Sequence, residues 1–573
     1  GWAKGHPVHK SKVLFKAKLT ELKKLDRRKA RVLVVGTRAR FQQGRDYLEH
    51  FAAGSSFATI RLVACLVHSR THFGHNVPRV LQLNKQPSKW VKFRYDVTNA
   101  FPHEAIERKI FMELPRGPFD WRDPITGEEQ VALLEQNLYG TPPGPRTFVE
   151  GVHTHFGVHG MRSCSVERAM YARESEDKAV VVATYVDEGW GGATNMDTAL
   201  WFKDMLEKKY AITWSWEWDN TLGFGVEAEE GKPLAFTTNK YVRDMVDEFL
   251  QGESKPTRNS ASRDTVMLLP AEKLPELGSP EDIAMRGMQA NARSLAGKLG
   301  HLARGRVDMT LDHALCAQII SRSSHAGYQH LLEILRFVWA NEDTKLVFPG
   351  TIVEHWRHEP GPYREPIRPY DEAIDYDMYG LGDHSMARVD VPNSKCMGAH
   401  AIMFMGGAID WKSYRHQTII THSTAGETIV ASRLAQRLVT ERRKLNFLGE
   451  PRVGPSNLFT DNDGTWSVSR NASAVTRQMY EINHVRMLQE LSDTKEIRAF
   501  QCDGDLNPID AGTKWLEAVH RKRHYAFLQG QPVAARAQWL SCARYKSWKP
   551  KKIEPVPQPP IEVPAGEADC SES

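Results

Sequence analysis

The sequence lacks several features that would define a structural class. Its seven cysteines, from Cys65 to Cys570, stand singly with no CxxC pair. That argues against a zinc module and a disulfide framework, and it fits a reducing compartment. No stretch approaches the 18 or so uninterrupted apolar residues a membrane span needs, so none is expected. Neither an internal repeat nor a signal peptide is visible. Position 1 is Gly rather than Met, and the chain is expected to be a piece of a longer one. The 573 residues are 41% hydrophobic and 25% charged, which excludes collagen-like and wholly disordered classes and leaves room for three or four domains.

Charge is unevenly placed. The whole chain carries only +6, yet residues 1–31 hold eleven Lys/Arg against Glu21 and Asp26. A basic arm of this kind suits a polyanion, and it equally suits a solvated tail. Val32–Gly36 is a short β-rich run, and residues 57–70 have the length and pattern of a buried helix. Trp90–Val97 reads as a strand, with a short helix over Pro102–Phe111 behind it. Residues 179–194 read as a hairpin with Tyr185-Val186-Asp187-Glu188 at its tip, and 196–210 as an amphipathic helix. Residues 250–285 are polar and linker-like, 286–340 all-helical, and 350–372 Pro-rich. From 376 the order is strand, hairpin, helix, strand, helix, strand, helix. The composition of the last residues, 553–573, is that of a disordered tail.

Two groups of acids carry chemistry. Asp96, in YDVTNAF, closes a strand just before the expected helix. The tight turn at Tyr185–Glu188 pushes two acidic side chains to one sheet edge. Asp96, Asp187 and Glu188 together form a candidate oxygen-ligand site for two Mg²⁺ ions. An acidic pair in a β-turn is otherwise common, since Asp favours turns. The second group is Asp383 at a strand end, Glu427 at a helix start, Asp461 at a strand end and Asp510 opening a late helix. Such acids are mostly caps and dipole partners, but in this order they converge on one sheet edge.

Order and company strengthen both groups. RRKARVLVVG at 27–36, RYDVTNAF at 94–101, LYGTPPGPRTFVE at 138–150, YVDEGWGGA at 185–193 and LGFGVE at 222–227 occur in series. GLGDHSMAR, DWKS, HSTAGET, TDND and IDAGTK follow later. In these the chain resembles the reverse transcriptase and RNase H region of copia-type LTR retrotransposon Pol polyproteins, over about residues 10–520. The resemblance implies an α+β fold: a right-hand polymerase (fingers, palm, thumb) followed by an RNase H-like α/β domain. Its implied boundaries are a basic arm at 1–31, fingers and palm at 32–250, thumb and connection at 251–372, an RNase H-like domain at 373–530, and a tail at 531–573.

The same resemblance puts Asp96, Asp187 and Glu188 at the polymerase metal positions, and Asp383, Glu427, Asp461 and Asp510 at the nuclease ones. Each site is expected to hold two Mg²⁺ or Mn²⁺. Arg31 and Lys29 fall where family basic residues approach the triphosphate, though Arg31 fits equally well as a plain member of the arm. Tyr139, Gly140 and Arg146 match the motif bordering the nucleotide pocket, beside Tyr185. His484 and Arg486 match a basic stretch that contacts phosphates or simply lies at the surface. Arg293, Lys298, Arg304, Arg306, Arg322 and Arg336 give the thumb helices a basic face suited to a duplex backbone.

Two departures weigh on the polymerase. Glu188 stands where the family has a second Asp, one methylene longer in a site where Mg²⁺ demands near-octahedral geometry. Pro143 stands where a glutamine is usual and has no side-chain amide. Ser385, Gly426 and Thr428 depart only at flanks. The expectation is an RNA-directed DNA polymerase with RNase H, its polymerase weakened. The competing expectation is a decayed copy that binds nucleic acid without efficient polymerisation. Implied partners are RNA template, DNA primer, RNA–DNA hybrid, dNTPs and the rest of a Gag-Pol polyprotein, with no membrane. The implied location is an intracellular virus-like particle or the nucleus, not the outside of the cell.

Overall fold

The computed structural model describes residues 6–19, 25–35, 41–47, 49, 51–72, 90–115, 121–175, 178–256, 274–317, 320, 323–349, 375–387, 396–450, 454–470, 479–502, 504 and 507–531. The Pro-rich connection 350–372, the tail 553–573 and Arg322 lie outside these residues. Among the described residues no helix is long and apolar enough to cross a membrane.

The basic N-terminal segment is not a loose lead-in. Ser11–Leu19 (β1) and Leu25–Val34 (β2) pair antiparallel as a two-stranded ribbon, so one strand crosses the expected boundary at 31. Alternation of basic and apolar residues, as in KVLFKAKL, supplies the period-two pattern that a ribbon needs.

Helix α1 (Phe57–His72) starts where the Ser56 hydroxyl accepts from the Thr59 amide at 3.1 Å. Residues 58–69 of it are all buried, because it is packed on more than one side. One neighbour is a six-stranded sheet built from Val91–Val97 (β3), Arg162–Cys164 (β4), Glu167–Ser175 (β5), Lys178–Tyr185 (β6), Glu188–Ala193 (β7) and Ile212–Ser215 (β8), ordered β8-β3-β7-β6-β5-β4. Helices Gly144–Val158 (α2) and Met196–Glu207 (α3) join its aromatic core of Phe93, Phe148, Phe156 and Phe202. The expected helix over Pro102–Phe111 is overturned. A 3₁₀ turn covers Phe101–His103, and Ala105–Glu113 is a strand paired with Val131–Gln136.

Helices Asn239–Phe249 (α4), Arg286–Leu302 (α5), Thr310–Cys316 (α6) and His325–Ala340 (α7) form a separate apolar cluster, in line with the all-helical reading of 286–340. The basic face expected on it is largely neutralised. Arg306 is buried and bidentate to Asp308, Lys298 pairs with Glu248, and Arg336 pairs with Glu253 at 2.7 Å.

The last unit is a five-stranded mixed sheet. Asp375–Ser385 (β9), Met397–Phe404 (β10) and Gly407–Arg415 (β11) are antiparallel, while Ser456–Thr460 (β12) and Ile497–Gln501 (β13) add in parallel, in the order β11-β10-β9-β12-β13. Helices Ser423–Phe447 (α8), Asp463–Arg470 (α9), Ile482–Asp493 (α10) and Ala518–Leu528 (α11) complete it. The hairpin turns on Met405 and Gly406, both at positive φ, close to the expected Gly406-Gly407. Asp510 does not open a helix. It sits in the 3₁₀ turn Pro508–Gly512, and α11 begins at Ala518.

Arg61 of α1 ties these parts together. Its guanidinium donates to the Ile409 carbonyl of β11 at 2.6 Å and to the Arg304 carbonyl after α5, and it stacks on Trp411 at 4.1 Å. An arginine inside an otherwise apolar helix is tolerated because both carbonyls and an aromatic face receive it.

Candidate active sites

The first site lies on the edge of the six-stranded sheet. Asp96 and Glu188 are direct cross-strand partners on β3 and β7, and the Val97 amide donates to the Asp187 carbonyl at 2.8 Å. Only Val186 and Asp187 separate β6 from β7, so Glu188 begins a strand rather than standing at the tip. Val186 adopts φ 55°, a strained value for a β-branched residue. Glu188 pays most for its place. One carboxylate oxygen is buried without a hydrogen-bond partner. Burial first, then the charges of Asp96 and Asp187, push its carboxyl up to about 7, against some relief from Arg94.

A pH prediction follows for the metal-free chain. The folded value lies above the ordinary 4.5, so folding favours the protonated form. The stability from this group is full below pH 4.5 and is lost as pH rises through about 7. Glu188→Gln is expected to flatten that decline. Melting temperature against pH for both proteins in chelator checks it; parallel curves would refute it.

The nucleotide-side residues cluster around Tyr139. The Val34 amide of the ribbon donates to the Tyr139 carbonyl at 2.8 Å, and the Arg31 guanidinium lies 4.8 Å from the tyrosine ring centre. Burial raises the phenol, which also feels Arg31, Asp187 and Asp96. Gly140 has φ 91°, and a Cβ there would stand 1.9 Å from the Val34 carbonyl oxygen. Gly140→Ala is therefore expected to cost roughly 3 kcal/mol and to loosen the ribbon. Urea unfolding, with limited proteolysis at 20–24, measures both effects.

Pro143 caps α2, its carbonyl accepting from the Thr147 amide at 2.9 Å. Arg146 is held by Glu107 at 3.0 Å and Glu49 at 3.5 Å. Lys29 lies opposite Lys16 on the ribbon, and Tyr185 ends β6 against Gly54.

The second site is tighter. Asp383, Glu427 and Asp461 each offer an oxygen within 4.8 Å of the others, and among the described residues no other trio of acids, histidines or cysteines does so. Strand β9 supplies Asp383, the first turn of α8 supplies Glu427, and the end of β12 supplies Asp461. Asp383 is wholly buried. Its Oδ2 accepts from the Thr513 hydroxyl, while its Oδ1 has no hydrogen bond and faces the Lys514 ammonium at 3.7 Å. Glu427 accepts from the His384 amide at 2.9 Å.

Burial raises both carboxyls well above the usual range. Asp510 and Asp461 add to this at Asp383, as Asp383 and Asp461 do at Glu427. Crowded buried acids of this kind need a cation to ionise together. An all-oxygen set with an orphaned buried oxygen fits a hard divalent ion.

Two residues of this site were missed as site residues in the sequence. Lys514 pairs with Asp510. His384 packs its ring where Gly426 leaves space, since a Cβ on Gly426 would fall 2.3 Å from that ring. Its Nδ1 lies 3.2 Å from His416 Nε2, and burial pushes both imidazoles down to about 4. The departure at Gly426 is thus coupled to the histidine beside Asp383. His484 is spoken for by the Ser432 hydroxyl at 3.1 Å.

Residues 3–259 match the family model described as reverse transcriptase (RNA-dependent DNA polymerase). The chain is 24% identical over 520 residues to the retrovirus-related Pol polyprotein from transposon TNT 1-94 of Nicotiana tabacum, covering 89% of this chain. Residues 3–259 are a reverse transcriptase domain of the copia type. The chain spans 35% of the tobacco relative's length. A putative transposon Ty5-1 protein of Saccharomyces cerevisiae is 21% identical over 339 residues, 59% of this chain and 98% of that protein. Prototype foamy virus protease–reverse transcriptase aligns over 93% of this chain and 74% of its own at 11% identity, with a TM-score of 0.19. The reverse transcriptase domain contains the Asp96–Asp187–Glu188 edge, whereas the tighter acidic trio lies beyond its matched residues.

Proposed function

We propose that this chain is an RNA-directed DNA polymerase joined to a ribonuclease H, with the nuclease site the better preserved. The polymerase half rests on the reverse transcriptase domain. The observation that carries the nuclease half is the convergence of Asp383, Glu427 and Asp461, with Asp510 joined through Lys514. Substrates are an RNA template with a DNA primer and dNTPs at the first site, and an RNA–DNA hybrid at the second. A hybrid is read by shape and backbone, so neither reaction needs base-edge contacts.

Mg²⁺ or Mn²⁺ held by Asp383, Glu427 and Asp461 would supply an activated water and offset charge on the phosphodiester. The chain's own residues prepare that site. Thr513 fixes one oxygen of Asp383, and the His384 amide fixes one oxygen of Glu427. Neutral His384 and His416 line one side without adding positive charge. At the other edge, Asp96 and Asp187 would hold metal with Glu188. The buried, unpaired oxygen of Glu188 favours weak polymerisation there.

Primer extension on an RNA template, with Mg²⁺ and Mn²⁺ run separately, tests the polymerase. Extension is expected to be slow and to vanish in Asp96→Asn. Extension that survives Asp96→Asn would refute the site. Complete silence in the native chain and in Glu188→Asp alike would favour the decayed-copy reading.

A further inference from the structure

We propose that Lys514 is a built-in cation of the nuclease site, so that the four acids take one divalent ion rather than two. The inference rests on the nuclease reading of that site and concerns how its charge is balanced.

The geometry divides the four acids. Asp383, Glu427 and Asp461 close on one another within 4.8 Å, and Asp510 is not part of that trio. Lys514 stands on the Asp510 side. Its ammonium is paired with an Asp510 oxygen and lies 3.7 Å from Asp383 Oδ1. A second divalent ion shared between the trio and Asp510 would have to use these same two oxygens. Asp383 has nothing else to offer it, because Oδ2 is already occupied by the Thr513 hydroxyl.

The lysine is held there by its backbone. The amides of Thr513 and Lys514 both donate to the Asp510 carbonyl at 3.1 Å, so Lys514 and Asp510 move as one piece. The Thr513 hydroxyl also reaches that carbonyl, at 3.1 Å. Lys514 is half-buried, with its head against acids and a route to solvent left open. A univalent cation tethered in this way repels a second ion at short range but still neutralises Asp510. One divalent ion plus the ammonium balances three of four carboxylate charges, leaving Asp383 Oδ1 oriented between them. Lys514 is thus a positioning residue, acting through Asp383 and Asp510.

The test counts ions. Mn²⁺ is titrated into the full chain carrying Asp96→Asn and Asp187→Asn, which removes the acids of the other edge, and free Mn²⁺ is read by electron paramagnetic resonance. The expected count is one ion with Lys514, one with Lys514→Arg and two with Lys514→Met, the last pair showing Mn–Mn coupling. Two ions with Lys514 in place would overturn the proposal, as would a single ion in a Lys514→Met chain whose circular dichroism matches its parent. Should Lys514→Met not fold, Lys514→Gln replaces it, and the count in the lysine-bearing chain still decides. Asp383→Asn is expected to lose the ion. Retention of that ion would refute the metal-site reading itself, whereas two ions lost together would refute only the role of Lys514.

Discussion

Asp383→Asn is expected to reduce cleavage of the RNA strand of a hybrid by about 10³-fold or more, the scale lost when a preorganised electrostatic element is removed. Asp383 is the one acid in contact with both halves of its site. It belongs to the trio with Glu427 and Asp461, and it faces the ammonium that neutralises Asp510. Asparagine keeps its volume and can still accept from Thr513, but it cannot carry the charge. Without that charge Glu427 loses a repulsive neighbour, so its carboxyl falls toward the ordinary range. The fold should survive, because the substitution removes a buried charge rather than a packed surface. A labelled hybrid, assayed beside circular dichroism and melting temperature, checks both parts. Cleavage within tenfold of the native rate would rule out the trio as the nuclease centre.

The second large effect is structural. Arg61→Ala is expected to cost about 3–5 kcal/mol, because it strands two buried carbonyls and removes the partner of Trp411. The donors go to Ile409 and Arg304, which belong to different units, so the loss falls on their docking. Arg61→Lys should recover only part of it, since an ammonium cannot present two fixed N–H groups to two carbonyls and stack on an indole. Urea unfolding is expected to change from one transition to two, with the five-stranded unit and the reverse transcriptase domain melting apart. A single transition with an unchanged midpoint would show that Arg61 is not the tie.

The order of short motifs was enough to find Asp96, Asp187, Asp383, Glu427 and Asp461, because each acid sits beside a local signal for a strand end or a helix start. The strand Ala105–Glu113 was not legible. EAIERKIFME is rich in helix formers with charges at helical spacing, and only its pairing with Val131–Gln136 makes it a strand. The basic arm misled for the same reason: charge was visible, but the partner strand that turns charge into a ribbon is a tertiary fact. Arg306, Lys298 and Arg336 looked like a nucleic-acid face until the fold brought acids to them.

The amino-acid sequence by itself determined the element order, the buried character of the first helix and which acids stand at sheet edges, since hydrophobic period and turn chemistry act over a few residues. Only the tertiary structure decided which acids share an ion, that Lys514 lies between Asp383 and Asp510, and that Arg61 joins three segments. These depend on groups brought together across 130 or 348 positions of chain, where no local pattern connects them. Charge interactions at such sites are set by distance and burial, and both exist only once the chain has closed.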